Sequence, residues 1–131
     1  RHLVVLPPQA EKEAGFLSAL ERLANVVGNT GAKAVFYAAP ATLDLIRERF
    51  ARSSNEIGYV PFVNWEDFLI VSRDVRTDDT LWIWMSRRNG VSYESSMARV
   101  SRYLDQYFKG NNFVLVYPLQ ASIDEGSRYL T

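Results

Sequence analysis

Short apolar runs alternate along this chain with longer stretches in which apolar residues recur at i, i+3 and i+4. Leu3 to Leu6 is the first such run, stopped by Pro7-Pro8, and predicts a strand. From Glu11 to Val27, residues Phe16, Leu17, Leu20, Leu23, Ala24 and Val27 mark the apolar face of a helix, with Glu11, Lys12, Glu21 and Arg22 outward and Gly28-Asn29 as the stop. Ala34 to Ala38 reads as a second strand. Pro40 then opens a helix as a first-turn proline, with Leu43, Ile46 and Phe50 inward and Arg47, Glu48, Arg49 and Arg52 on a solvated face. Ile57 to Val63 is a third strand, and Pro61 within it argues for an edge position or for the strand's last turn. Asn64, with Asp67 in the first turn, caps a helix from Trp65 to near Asp74 that turns Phe68, Leu69 and Ser72 inward.

Thr80 to Met85 is nearly pure hydrophobe and reads as a strand buried on both faces, at the centre of a parallel sheet. The long SRRNGVSYESS connection leads to a helix from Met97 to Phe108, whose inward set is Met97, Val100, Leu104 and Phe108. Phe113 to Tyr117 is the last strand. Strict β-α alternation in a short chain implies an α/β fold: an open five-stranded parallel sheet with helices on both faces and right-handed crossovers. Residues 1–118 form this domain, and 119–131 read as a polar C-terminal tail.

Composition narrows the chemistry. The chain has 131 residues, enough for a single core, and its 15 basic residues balance 15 acidic ones. A net charge of zero gives no electrostatic case for nucleic-acid or membrane-surface binding. Without cysteine, and with His2 as the sole histidine, thiolate catalysis, disulfides, a histidine-based triad and cysteine or histidine metal sites are set aside. No apolar run approaches the ~20 residues that span a bilayer. The early first strand and the polar end suggest a domain of a longer polypeptide.

Ligands of open α/β sheets gather beyond the carboxyl ends of the strands, which places the loop after Thr80–Met85 first among candidate sites. Ser86, Arg87, Arg88, Asn89, Gly90 and Ser92 there offer two guanidinium groups and hydroxyl donors that suit a phosphate. The same arginines could instead pair with Asp79 or Glu94. The loop after the first strand carries Pro7-Pro8 and lacks the glycines of a dinucleotide cradle, and no Walker-type loop occurs. Glu11 with Glu13, and Asp78-Asp79, are paired carboxylates without partners suited to acid–base work. Trp82 and Trp84 share one face of their strand, and Tyr103, Tyr107 and Phe108 lie on the next helix, as core or interface.

The order of elements resembles the universal stress protein fold. Trp82 to Ser86, the Arg87–Tyr93 loop, Tyr107-Phe108 and Asn112-Phe113 with Tyr117-Pro118 resemble the soluble C-terminal domain of bacterial sodium/cation:proton antiporters. The resemblance implies a Rossmann-like sheet of order 3-2-1-4-5. It also implies a homodimer paired through Phe113, Val114, Leu115, Val116 and Tyr117. The chain would then be a non-catalytic regulatory and dimerisation domain on the cytoplasmic side of the inner membrane, behind an N-terminal transmembrane transporter in the same polypeptide. A free-standing nucleotide-binding universal stress protein is the alternative. ATP-binding members of that family carry an aspartate after the first strand and a glycine-rich motif after the fourth. Pro7-Pro8 and a lone Gly90 stand there instead, which argues against ordinary ATP binding and leaves open another nucleotide or no cofactor.

Overall fold

The computed structural model describes residues 1–87, 90–108 and 110–119. Five strands, β1 (His2–Val5), β2 (Ala34–Ala38), β3 (Ile57–Pro61), β4 (Thr80–Trp84) and β5 (Asn112–Val116), form one sheet of order β3-β2-β1-β4-β5. Every pairing is parallel, and Val4 stands in register with Phe36 on one side and Trp82 on the other. This is the α/β fold and strand order expected. The centre is β1 rather than β4, because β1 alone has two strands on each side. Trp82 on β4 is only partly buried.

Strand alternation divides the core between the two faces. Val4, Leu6, Phe36, Ala38 and Trp84 face α1 (Phe16–Thr30) and α2 (Pro40–Arg49), which contribute Phe16, Leu20, Leu23, Leu43 and Ile46. Leu3, Val5, Val35, Tyr37, Leu81 and Ile83 face the other layer, built from Trp65, Phe68, Val71, Met97, Val100, Leu104 and Phe108. Trp82 and Trp84 lie on the α1 side together, as their spacing requires.

Several boundaries differ from the periodicity reading. Glu11 is not in α1: Ala10–Lys12 forms a single 3₁₀ turn and α1 starts at Phe16. Leu17 points outward at 71% exposure, because Phe16, Leu20, Leu23, Ala24 and Val27 already fill the buried stripe. Gly28-Asn29 does not stop α1. Gly31 does, with φ of 67° and its N–H bonded to the Val27 carbonyl. β3 ends at Pro61 and is an edge strand, as its proline predicts.

The second layer departs more. Trp65–Arg73 is a 3₁₀ helix, capped by the Asn64 side chain accepting from the Glu66 N–H at 3.1 Å. At three residues per turn, Trp65, Phe68 and Val71 line up inward, whereas Leu69 and Ser72 do not. Ser95–Arg99 is again 3₁₀ and passes into α3 (Val100–Tyr107), with Phe108 buried just beyond it. Among the described residues no helix is long and apolar enough to cross a membrane.

Candidate functional site

The strand order reverses between β1 and β4, so the crevice beyond their carboxyl ends is where an open α/β sheet receives ligands. Two loops meet there. After β1, Pro7 to Ala10 makes a turn closed by the Ala10 N–H donating to the Pro7 carbonyl at 3.2 Å. Gln9, its third residue, sits at φ 67° and ψ 14°, the position a type II turn usually gives to glycine. The turn directs Glu11 and Glu13 to opposite neighbours. Thr42 on α2 donates to Glu11 Oε1 at 2.7 Å. Glu13, buried, receives the hydroxyls of Ser86 at 2.7 Å and Ser92 at 2.8 Å on the single oxygen Oε2.

Ser86 and Ser92, both expected at a site, are thus brought together, but around a carboxylate. Arg87 is exposed and its guanidinium stands 5.1 Å from the Tyr117 ring centroid. The Gly90 N–H donates to the Arg87 carbonyl at 2.8 Å. Arg88 and Asn89 lie outside the described residues. Asp79 precedes β4, sits at the opposite end of the sheet from Arg87 and is bonded to Arg1 instead. Phe113 to Tyr117 lies at the sheet edge, apart from the Glu13 cluster until the chain turns back beyond β5. Leu119 then reaches the start of α1, where its carbonyl accepts from the Gly15 N–H at 2.6 Å.

Glu13 is the member that sequence reading undervalued. Its signal was present, an acidic residue shortly after the first strand, but its partners lie 73 and 79 residues away. Chemically the cluster accepts hydrogen bonds and carries negative charge at the point where a phosphate would have to approach. It therefore disfavours an anion and tolerates a donor-bearing group.

The opposite end of the sheet holds the other polar network. Arg1 grips Asp79 through Nε and Nη2 at 3.0 and 2.9 Å, and the Arg76 N–H adds a third bond at 2.7 Å. Burial pushes the Asp79 carboxyl up, but these donors outweigh it and hold it below its ordinary value. Asp79 is therefore a buried structural anchor. Tyr37 donates to Asp74 at 2.9 Å, and burial raises its phenol well above the ordinary range. His2 is held on both ring nitrogens: the Trp82 indole donates to Nδ1 at 3.1 Å, and Nε2 meets the Thr30 hydroxyl at 2.9 Å. Accepting from the indole requires the neutral ring, and burial, with the chain's amino terminus adding, lowers its pKa. Among the described residues no group of three histidine or acidic side chains is placed to hold a metal. The chain matches no family model, no curated protein and no solved structure.

Proposed function

We propose that this chain is a non-catalytic assembly and regulatory module, the cytoplasmic domain of a membrane cation:proton antiporter, which dimerises through β5. The observation that carries the assembly half is the contrast between the two sheet edges. β3 is blunted by Gly58 and Pro61. β5 reads NFVLV without proline or charge, and exposes Phe113 at 48% and Val114 and Leu115 at 38% each. Among the described residues nothing pairs with the outer side of β5, and an apolar edge of that kind is a template for another strand. Pairing with a second copy would satisfy the outward backbone groups of β5 and cover side chains on both faces. The antiporter half rests on the residues of the β4 loop, α3 and β5 that resemble such domains. The regulatory role is supported by the chemistry available: the sole histidine is committed to Trp82 and Thr30, and Glu13 occupies the crevice where a nucleotide's phosphates would sit.

Light scattering on the chain across a range of concentrations tests assembly. A dimer is expected, converted to monomer by Leu115→Lys with the fold retained. A wild-type monomer at high concentration would remove the dimer from the reading. The transporter assignment is tested separately by the parent reading frame, where a multi-span hydrophobic region upstream of Arg1 is expected and a start codon at that point would overturn it.

A further inference from the structure

In a strand the N–H and C=O of one residue point to the same side, and successive residues alternate. The Met85 N–H donates to the Val116 carbonyl at 2.7 Å, so Val116 turns its backbone groups toward β4, and Val114 and Asn112 do likewise. Phe113 and Leu115 therefore present theirs to the outer side, where no strand follows among the described residues. The opposite edge differs. The Phe62 N–H donates to the Ala38 carbonyl at 2.8 Å, which leaves Pro61, without an N–H, among the outward residues of β3.

Symmetry limits how a second copy can meet the β5 edge. In the parallel ladders of this sheet each residue stands opposite one whose backbone groups point away from it. His2 donates to the Lys33 carbonyl, while Ala34, directly opposite His2, donates to Glu56 on the far side. A two-fold axis along the strands would set Phe113 against its own copy with both sets of groups converging, and no parallel ladder forms. A two-fold axis normal to the sheet gives an antiparallel pair, in which facing residues exchange both hydrogen bonds.

We propose that two copies join antiparallel about an axis through Val114, making their five-stranded sheets one continuous sheet. The inference rests on the dimer proposed above and fixes its register. Phe113 then exchanges both bonds with the partner's Leu115, and Leu115 with the partner's Phe113, so every outward group of the two residues is satisfied. An axis at Phe113 or Leu115 would instead set Asn111 or Tyr117, both outside the strand, opposite an outward residue. The Val114 axis also covers the exposed side chains. Phe113, in register with Leu81, packs on the partner's Leu115 on the α3 side, and Val114, in register with Trp82, meets its own copy on the α1 side. No charged residue lies on β5, so the axis brings no like charges together.

The chain contains no cysteine, so single-cysteine variants read the register. Val114 and its copy form a non-hydrogen-bonded pair, with Cα atoms about 4.5 Å apart, within reach of a disulfide. Phe113 and Leu115 face each other, and each stands farther from its own copy than the ~7 Å that a disulfide can bridge. Under mild oxidation Val114→Cys should cross-link to its own copy roughly tenfold faster than Phe113→Cys or Leu115→Cys alone. A mixture of those two variants should cross-link faster than either by itself. Faster self-linking of Phe113→Cys or Leu115→Cys, in a chain that light scattering shows to be dimeric, overturns the register and keeps the dimer. A monomer that cross-links at no position removes both. Hydrogen exchange reads the unsubstituted chain: the Phe113 and Leu115 amides should become protected as concentration rises, and amides left unprotected in a dimer overturn the pairing.

Discussion

Glu13 concentrates two hydroxyl hydrogen bonds on one carboxylate oxygen in a nearly closed environment. Removing it strands the buried Ser92 hydroxyl and leaves Ser86 its longer bond to the Arg87 carbonyl, at 3.2 Å, in place of the one at 2.7 Å. Leaving a buried donor unmade costs more than a single bond is worth. Glu13→Ala should therefore destabilise the fold by about 2 kcal/mol in urea unfolding. Glu13→Gln keeps an acceptor oxygen in place and should cost less than half of that. Equal losses would mean that the hydroxyls are satisfied some other way. His2 makes a different prediction. Its folded pKa lies below the ordinary histidine value through burial, so the unfolded chain binds the proton more readily. The stability it contributes is complete above about pH 6.5 and is lost as pH falls toward its lowered folded value. The melting temperature should drop across that window, and His2→Asn should flatten that part of the profile. Asp79, depressed by Arg1 and the Arg76 N–H, adds its own loss only at lower pH, as the carboxylate range is crossed. Neither Glu13 nor His2 announces its partner in the sequence. Ser86, Ser92 and Trp82 sit on another strand and loop, and only the parallel pairing of β1 with β4 brings them close.

At the scale of elements, the period of the hydrophobic pattern identified every strand and the register of α1 and α2, because those elements pack by their ideal repeats. It placed Met97, Val100, Leu104 and Phe108 inward correctly but missed the 3₁₀ winding of Trp65–Arg73 and Ser95–Arg99, and with it the inward set of the first. Propensity does not distinguish the two windings there. Aromatic packing does: Phe68 lies 5.7 Å from Trp65, 6.2 Å from Tyr103 and 5.7 Å from Phe108, centroid to centroid, and the tighter winding presents Trp65, Phe68 and Val71 together. The turn after β1 was legible as a break but not as a strained one. Pro8 suits the second position of a type II turn, while Gln9 occupies a left-handed position that favours glycine. Gln9→Gly should raise stability by about 0.5–1 kcal/mol, relief of side-chain strain exceeding the added freedom of the unfolded chain. Chemical denaturation reads this directly, and a loss of stability would show that the Gln9 side chain contributes more than its backbone costs. Because this turn sets the direction of Glu11 and Glu13, the substitution should leave Ser86 and Ser92 bonded as before.

The whole molecule presents two unlike ends. One carries the interlocked Arg1, Asp79, Tyr37 and Asp74, a network that ties the starts of β1 and β4 to the layer containing Asp74. The other carries Glu13 with its serines, bordered by the loop arginine and by the chain returning from β5. The sheet order makes that second end the natural ligand crevice, and the residue types in the β4 loop taken alone favour a phosphate. Assembled, they do not. The serine hydroxyls point their protons at a carboxylate, and an incoming phosphate would have to displace them while meeting the negative charge of Glu13 at close range. Like charges in a partly buried crevice repel far more strongly than in water, and the serine hydrogen bonds would have to break as well. Millimolar ATP should therefore leave the melting temperature of the wild-type chain unchanged, where a site with a dissociation constant a hundredfold below the ligand concentration would add about 2.7 kcal/mol to its stability. Glu13→Gln removes the charge and is the variant in which a nucleotide should first begin to stabilise the fold. A clear ATP-induced rise in the wild type that persists in Arg87→Ala would place the phosphates away from this loop, and would restore the nucleotide-binding alternative at the expense of the assembly module.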